Sequence, residues 1–319
     1  MKGETNNFTY LEEISSTLKN ITFPTRFAVE VTAECNLKCA MCHHPNMVRP
    51  KGRMPFELWK KCADQIVEIS PSTQCWFSFC GEPLLEPDRL IDMIKYGKSI
   101  GLKSLNINTN GMLLTPELAK PIMDSGVDLV VIGIDGFSAE VFEKVRIEAK
   151  RDVVYKNVEY FLEAKKNRVY GPEVQVQFIE MEENKHELDE FKKYWLERGA
   201  TIKARRMLSW GGKFDTKLNA PENNRIPCPW ACTMMHVFWD GRVPRCPGDT
   251  EGEEGSGNAW DEPLLDLWTK LGVFRDKHLT NRFNELPDRC QDCTDWMTGS
   301  AERIRPTSNK DFLSLNDNK

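Results

Sequence analysis

Three cysteines fall within eight residues of the segment VTAECNLKCAMCHHP, as Cys35, Cys39 and Cys42 in a C-x3-C-x2-C spacing. Thiolates this close on one loop can converge on a single iron–sulfur cluster, leaving backbone amides free to hydrogen-bond its sulfides. Zinc is the alternative, with His43 or His44 supplying a fourth ligand. A second group lies far along the chain: Cys228, Cys232, Cys246 and the tight pair Cys290-x2-Cys293. Of these, Cys228, Cys246, Cys290 and Cys293 can bring four thiolates to one further centre, with a zinc ribbon again the alternative. Eleven cysteines are many for a chain whose first residues lack the apolar core of a secretory signal, a feature that points to the cytoplasm. The odd count also fits poorly with a fully paired disulfide framework. Metal ligation is therefore the expected use.

With this N-terminal triad the chain resembles the radical SAM superfamily. The resemblance implies that Cys35, Cys39 and Cys42 hold a [4Fe-4S] cluster whose open iron is chelated by S-adenosyl-L-methionine. One-electron reduction then releases a 5′-deoxyadenosyl radical, so the cofactor carries the difficult chemistry and the protein orients it. The residue before the third cysteine, usually an aromatic that touches adenine in that family, is Met41, apolar and adaptable, which implies the contact kept in altered form. Cys80-Gly81-Glu82-Pro83 looks like the family's G-G-E-P signature with Cys80 at the first glycine, which implies a loop that meets the cofactor's α-ammonium. Further contacts are implied in chain order: Asn108 and Asn110, then Asp135 as an acceptor for ribose hydroxyls, then Arg146 as a bidentate partner for the cofactor carboxylate. Gln177 and Met181 are implied near ribose and adenine. Each has an ordinary reading as a turn or helix-end residue; their succession at strand ends carries the resemblance.

The tail is similar to the twitch region, a shortened relative of the SPASM extension. Its signature C-P-W…W-D-G-x-V-P-x-C…L-x-x-L-W…C-x-x-C is met from Cys228 onward, and implies an auxiliary [4Fe-4S] cluster on Cys228, Cys246, Cys290 and Cys293. This layout resembles that of 2-deoxy-scyllo-inosamine dehydrogenase. It implies hydrogen abstraction from an alcohol carbon of a small polyol, aminocyclitol or sugar, with the surplus electron passing to the auxiliary cluster. Lys203, Arg205 and Arg206 are the basic candidates to anchor the hydroxyl, and strand alternation sets Lys203 and Arg205 on one face and Arg206 on the other. Their ordinary reading is solvated charge.

Cys232 is left over, as a replacement ligand for Cys228 or Cys246, as a small core residue, or as the hydrogen donor of a radical epimerase. Maturation of a ribosomally made peptide is a further reading. Against it, the first 25 or so residues are too few for a winged-helix leader-binding domain, which a separate partner could provide. An iron–sulfur electron carrier is the non-enzyme alternative and leaves the ordered cofactor motifs without a use. The expected partners are a small-molecule or peptide substrate and an electron donor such as flavodoxin or ferredoxin. A net charge of −5 and the lack of any long apolar run exclude a dedicated nucleic-acid binder and an integral membrane protein.

Short apolar runs alternate with helical patterns, the mark of repeated βα units around a parallel sheet. Strands are expected over 27–32, 74–79, 103–108, 128–134, 173–178 and 201–206. Helices are expected over 55–69, 87–99, 139–145 and 153–167, with Thr115 and Asn184 capping two more. Six such units imply an α/β fold, a partial (β/α)6 barrel rather than a closed eight-fold one. Beyond Leu208 the stretch 209–227 reads as a loop, and Asp240-Gly241 between 234–239 and 243–246 as the type I′ turn of a hairpin. A helix over 264–270 and another from Val273 complete a small C-terminal hairpin-plus-helix region. The expected divisions are an extension over 1–25, a core over 26–207, an auxiliary region over 208–300 and a polar tail over 301–319.

Overall fold

A computed structural model of the protein describes residues 16–216 and 225–298. Most of the expected N-terminal extension, part of the 209–227 loop and the 301–319 tail lie outside the described residues.

The strands are β1 (Arg26–Val29), β2 (Gln74–Phe77), β3 (Ser104–Thr109), β4 (Leu129–Gly133), β5 (Glu173–Glu180), β6 (Thr201–Arg206) and β7 (Met234–Val237). They form one seven-stranded sheet in the order β6-β5-β4-β3-β2-β1-β7. Every pairing in it is parallel. Helices cover the central strands, which are apolar on both faces: in β4, LVVIG, only the first residue is partly exposed. The helix α1 (Phe56–Ile69) shows how they are held: Leu58, Trp59, Cys62, Ala63 and Ile66 recur at helical spacing and are buried. Trp59 packs its ring 4.9 Å from Phe77 on β2 and donates Nε1–H to the Met93 carbonyl at 2.8 Å on α2 (Pro87–Ser99). Cys62 and Cys75 are core residues, both fully buried.

Six strands arise where the sequence places them; the seventh corrects the expectation for the tail. Residues 234–239 are more than the arm of a separate hairpin. Met234–Val237 pairs with β1 in parallel, Phe27 opposite Met235, and so extends the barrel sheet. The next strand, β8 (Arg242–Val243), pairs with β9 (Gly257–Asn258) instead. The turn between β7 and β8 is also not type I′, which needs positive φ at both central residues. Only Gly241 has it, at 93°, while the Gly241 amide donates to Phe238 O and the Phe238 amide to Arg242 O. That is a three-residue loop with a left-handed glycine, whose extra residue turns β8 off the sheet.

Two caps are corrected as well. Thr115 precedes helix α3 (Pro116–Asp124) in extended conformation but makes no side-chain cap bond. Asn184 caps nothing: its amide donates to Asp135 O at 2.8 Å and to Ile179 O at 2.9 Å, and its Oδ1 accepts from Met181 N. A short 3-10 turn, Lys185–Glu187, then leads into the helix Leu188–Glu197.

One buried ion pair binds the tail to the barrel. Arg49, in the loop after the N-terminal cysteines, donates Nη1–H to Glu30 Oε2 at 2.9 Å and a second bond from Nη2 to Oε1. Its Nε donates to Thr250 O at 2.7 Å, and its guanidinium lies 4.1 Å from the Phe238 ring centroid. Glu30 is fully buried, and its Oε2 also accepts from Trp239 N. Removing one member of such a pair strands the other charge, so Arg49→Ala is expected to lower stability by about 3–5 kcal/mol in urea unfolding. The double replacement Glu30→Leu/Arg49→Met should recover most of that loss.

Candidate active site

Because the strands are parallel, all their C-terminal ends open on one rim, where ligands of α/β sheets bind. The rim encloses a cavity of about 810 Å³, open mouth included, whose wall carries all three N-terminal cysteines. Their loop is pinned by backbone bonds from Lys38 N to Ile147 O and from Ala40 N to Val145 O, at the end of helix α4 (Ala139–Val145). His44 N points at Cys42 Sγ at 3.4 Å, and Arg146 Nη1 at Cys39 Sγ at 3.7 Å. Burial pushes the Cys35 thiol up to about 11 and Cys42 to about 12, and raises Cys39 despite Arg146. These thiols stay protonated until a metal takes the charge.

Of the expected cofactor residues, the cavity wall gathers Met41, Gly81, Glu82, Asn108, Asn110, Arg146 and Gln177. Glu82 is buried and bridges two loops: its carboxylate accepts from Leu84 N at 3.0 Å, Thr109 Oγ1 at 2.7 Å and Asn110 N at 2.7 Å. Asn110 in turn donates to Asn36 Oδ1 at 2.8 Å, reaching back to the cysteine loop. Gly81 is demanded by packing: a Cβ there would lie 2.0 Å from Thr32 O and 2.7 Å from Glu34 O. Pro83 is buried as the first residue of a 3-10 turn and does not line the cavity.

Asp135 departs from its expected role. It is fully buried, at φ 63°, and does not line the cavity. Its Oδ1 accepts from Ile179 N at 2.6 Å, and its Oδ2 from Arg146 Nε at 2.8 Å and from Nη2. No oxygen is left facing a ribose; the carboxylate aims Arg146 instead. Gly133, unnoticed in the sequence, makes the room, since a Cβ there would lie 2.1 Å from Arg146 Nη2. Met181 is likewise off the wall, packed against the core beside Asn184.

On β6, alternation brings Arg205 onto the wall, where its Nε donates to Gln177 Oε1 at 3.2 Å. Arg206 points outward and is exposed, and Lys203 does not line the cavity. Cys232 lines neither cavity: it is fully buried among Leu18, Ile226 and Trp296, as a small core residue.

A second cavity, of about 590 Å³, is ringed by Cys228, Cys246, Cys290 and Cys293. Cys228 precedes helix Pro229–Thr233, Cys246 follows β8, and Cys290 lies on the turn Asp288–Gln291. Ser209 Oγ lies 3.6 Å and Asp295 N 3.4 Å from Cys293 Sγ. Burial raises all four thiols, Cys290 to about 11. All eleven cysteines are free, so none of these thiols is tied up in a disulfide. Among the described residues no three His, Cys, Asp or Glu side chains close on a single-ion site. The thiols surround a space rather than a point. Sulfur donors with N–H groups directed at them suit an iron–sulfur cluster at either centre.

Leu208 and Trp210 line both cavities, a role sequence reasoning missed. Trp210 sits at φ 52° and is followed by Gly211 at 70° and Gly212 at 81°, a left-handed turn. Its Nε1 donates to Met41 O at 2.8 Å. The only signal was an aromatic in a Trp-Gly-Gly run.

Gly81→Ala tests the packing of the rim. Its Cβ would meet backbone rather than a movable side chain, so the variant is expected to lose about 1–3 kcal/mol in urea unfolding and to bind S-adenosylmethionine more weakly in equilibrium dialysis.

The sequence profile of the radical SAM superfamily matches residues 29–193. A cofactor-modifying protein of the tungsten-containing aldehyde ferredoxin oxidoreductase from Pyrococcus furiosus is 30% identical over 175 residues, which is 54% of this chain and 48% of that protein. A PqqA peptide cyclase from Bradyrhizobium diazoefficiens is 30% identical over 136 residues, 42% of this chain and 35% of that one. This chain thus spans about half or less of the length of these curated relatives. Among solved structures, BtrN in complex with AdoMet and 2-DOIA superposes with a TM-score of 0.62 at 19% identity, covering 88% of this chain and 97% of BtrN. Streptococcus suis SuiB bound to precursor peptide SuiA gives 0.67 at 15% identity, covering 92% and 74%. These likenesses establish the shared fold, and the matched profile, covering just over half the chain and taking in the cysteine triad, establishes that the protein belongs to the radical SAM superfamily.

Proposed function

We propose that the protein oxidises an alcohol carbon of a small polyol, aminocyclitol or sugar by two electrons. The observation that carries this reading is the adjacency of the two cysteine-lined cavities, which share Leu208 and Trp210 as a common wall with Arg205 at the rim of the first. Cys35, Cys39 and Cys42 would hold the cluster that binds S-adenosylmethionine, and Cys228, Cys246, Cys290 and Cys293 an auxiliary [4Fe-4S] cluster. When bound, these groups supply a 5′-deoxyadenosyl radical and a one-electron acceptor.

The chain's own residues then have separable tasks. Gly81, Glu82, Asn108 and Asn110 would surround the amino-acid end of the cofactor, with Arg146, aimed by Asp135, beside its carboxylate. Gln177 orients Arg205. A guanidinium does not deprotonate, so Arg205 would anchor the substrate oxygen and favour loss of its proton to water rather than accept it. The substrate loses a hydrogen atom from carbon, then a proton and an electron, and becomes a ketone. The core over 26–207 would bind the cofactor, and the region over 208–300 supplies both β7 and the four auxiliary thiols.

A peptide substrate is the second reading, favoured by the PqqA cyclase relative and by the fold shared with peptide-bound SuiB. Product mass distinguishes oxidation from epimerisation. An alcohol oxidised here loses two hydrogens while 5′-deoxyadenosine accumulates; unchanged mass with deuterium uptake from heavy water would mean epimerisation instead. Failure of any alcohol to stimulate 5′-deoxyadenosine release, with a peptide doing so, would transfer the reading to peptide modification.

Anaerobically reconstituted protein should carry about eight irons, two cubane clusters' worth. Loading must displace thiol protons, so iron–sulfur uptake is expected to weaken from about pH 9 to about pH 7, measured as bound iron at fixed iron and sulfide. Arg205→Met should lower ketone formation by about 100-fold or more, as for loss of one donor to a developing oxyanion, while slow 5′-deoxyadenosine release without substrate persists.

A further inference from the structure

The four-cysteine cavity holds more positive charge than neutral thiols can use. Arg245, immediately before Cys246, lines it and is 6% exposed. Its Nη1 is paired with Glu254, and its backbone N–H donates to Asp249 Oδ2 at 3.2 Å. Its Nε is buried with no hydrogen-bond partner. Arg225 also lines the cavity, donating Nη1–H to Gln291 O at 3.1 Å and Nη2–H to Cys290 O at 2.5 Å, so that it grips the C-x2-C turn. Its Nε too is buried and unpartnered. A buried donor left unsatisfied costs about 1–3 kcal/mol. Two of them belong to arginines from different segments that line one cavity, and an anion held in that cavity would meet the charge of both.

The nearby carboxylates do not supply that anion. Asp295 is engaged by Ser209 N and Gly211 N, and Asp249 by the backbone amides of Arg245, Glu253 and Glu254. Glu254 is 37% exposed and lies at the outer end of Arg245. A four-iron cluster with four thiolate ligands is a net anion, and accepting an electron makes it more so. Fixed positive charge and N–H donors at its sulfurs favour the reduced form.

We propose that Arg245 and Arg225 set the reduction potential of the auxiliary cluster, raising it so that the cluster can accept an electron from the substrate. The proposal rests on the two-cluster reading above, and it assigns to two unclaimed arginines the choice between an electron sink and an inert structural cluster.

The test is an EPR-monitored redox titration of the reconstituted holoenzyme, with dithionite as reductant. Arg245→Gln is expected to shift the reduction equilibrium at least tenfold against the reduced auxiliary cluster, 59 mV more negative for one electron, and Arg225→Gln to shift it in the same direction. Glu254→Gln, which removes the outer negative charge, should shift it the opposite way. Arg245→Lys, which keeps the charge, should recover much of the loss. Where Arg245→Gln takes up no auxiliary cluster, the exposed Glu254→Gln variant carries the test, and a shift to more negative potential there overturns the proposal. Potentials unchanged at full iron content, or Arg245→Gln and Glu254→Gln moving together, overturn the arginine assignment alone. Wild-type protein that binds only about four irons overturns the two-cluster reading and the proposal with it.

Discussion

Burial of thiols is the constraint on which the architecture of both cavities turns. A cysteine removed from water resists ionisation, and every thiol on the two walls is raised by desolvation first of all. A site meant to hold thiolates must therefore carry its own compensation. Around the N-terminal triad it comes from backbone N–H groups and from the Arg146 guanidinium, which itself could not be buried without Asp135. Asp135 could not hold its position without the Ile179 amide and the Asn184 side chain on the neighbouring strand end. Each buried charge thus recruits the next, and the series ends in backbone amides, which cannot change protonation.

The parallel sheet supplies the geometry for this compensation. Seven strands running one way bring seven loop starts to one rim, and the residues that pair with each other there are distant in sequence. The return of β7 beside β1 matters most. Residues 234–237 carry the tail back onto the barrel next to the strand that launches the cysteine loop. Glu30, one residue past β1, then accepts from Arg49 and Trp239, and Arg49 donates onward to Thr250. Had the tail formed the free-standing hairpin that Asp240-Gly241 suggests, the second cavity would lose the sheet pairing that fixes it against the first.

The N-terminal cysteine triad, the C-x2-C pair and the six leading strands were legible because their signals are local: close spacing of thiols, and apolar runs bounded by turn residues. The partners of polar side chains were not. Asp135 sits at a strand end, as a ligand-binding residue would, but whether its carboxylate faces the cavity or an arginine depends on where Arg146 and Ile179 fold back. Gln177 and Met181 are four residues apart on the same strand end, yet one lines the cavity and the other packs beneath it. The parallel pairing of residues 234–237 escaped for the same reason, since a run of four gives no sign of which distant strand will accept it. Gly133 and Trp210 went unremarked because their importance lies wholly in what stands opposite them.

Trp210 also bears on how far the two cavities are one device. The Asp295 carboxylate, two residues beyond Cys293, accepts from Ser209 N and Gly211 N on either side of Trp210. The indole between those two amides donates to the carbonyl of Met41, the residue before Cys42. A path of hydrogen bonds and chain links through Asp295, Ser209, Trp210, Gly211 and Met41 therefore runs from the second cysteine group to the first through a turn with three consecutive positive φ values. A bulky residue at φ 52° is held there against its intrinsic preference, and the holding groups all belong to the cysteine-bearing segments. The shared wall is for that reason a consequence of assembling both sites and not a separate structural element: displace the C-x2-C turn, and the residue that closes the first cavity loses the two amide anchors that keep its backbone left-handed.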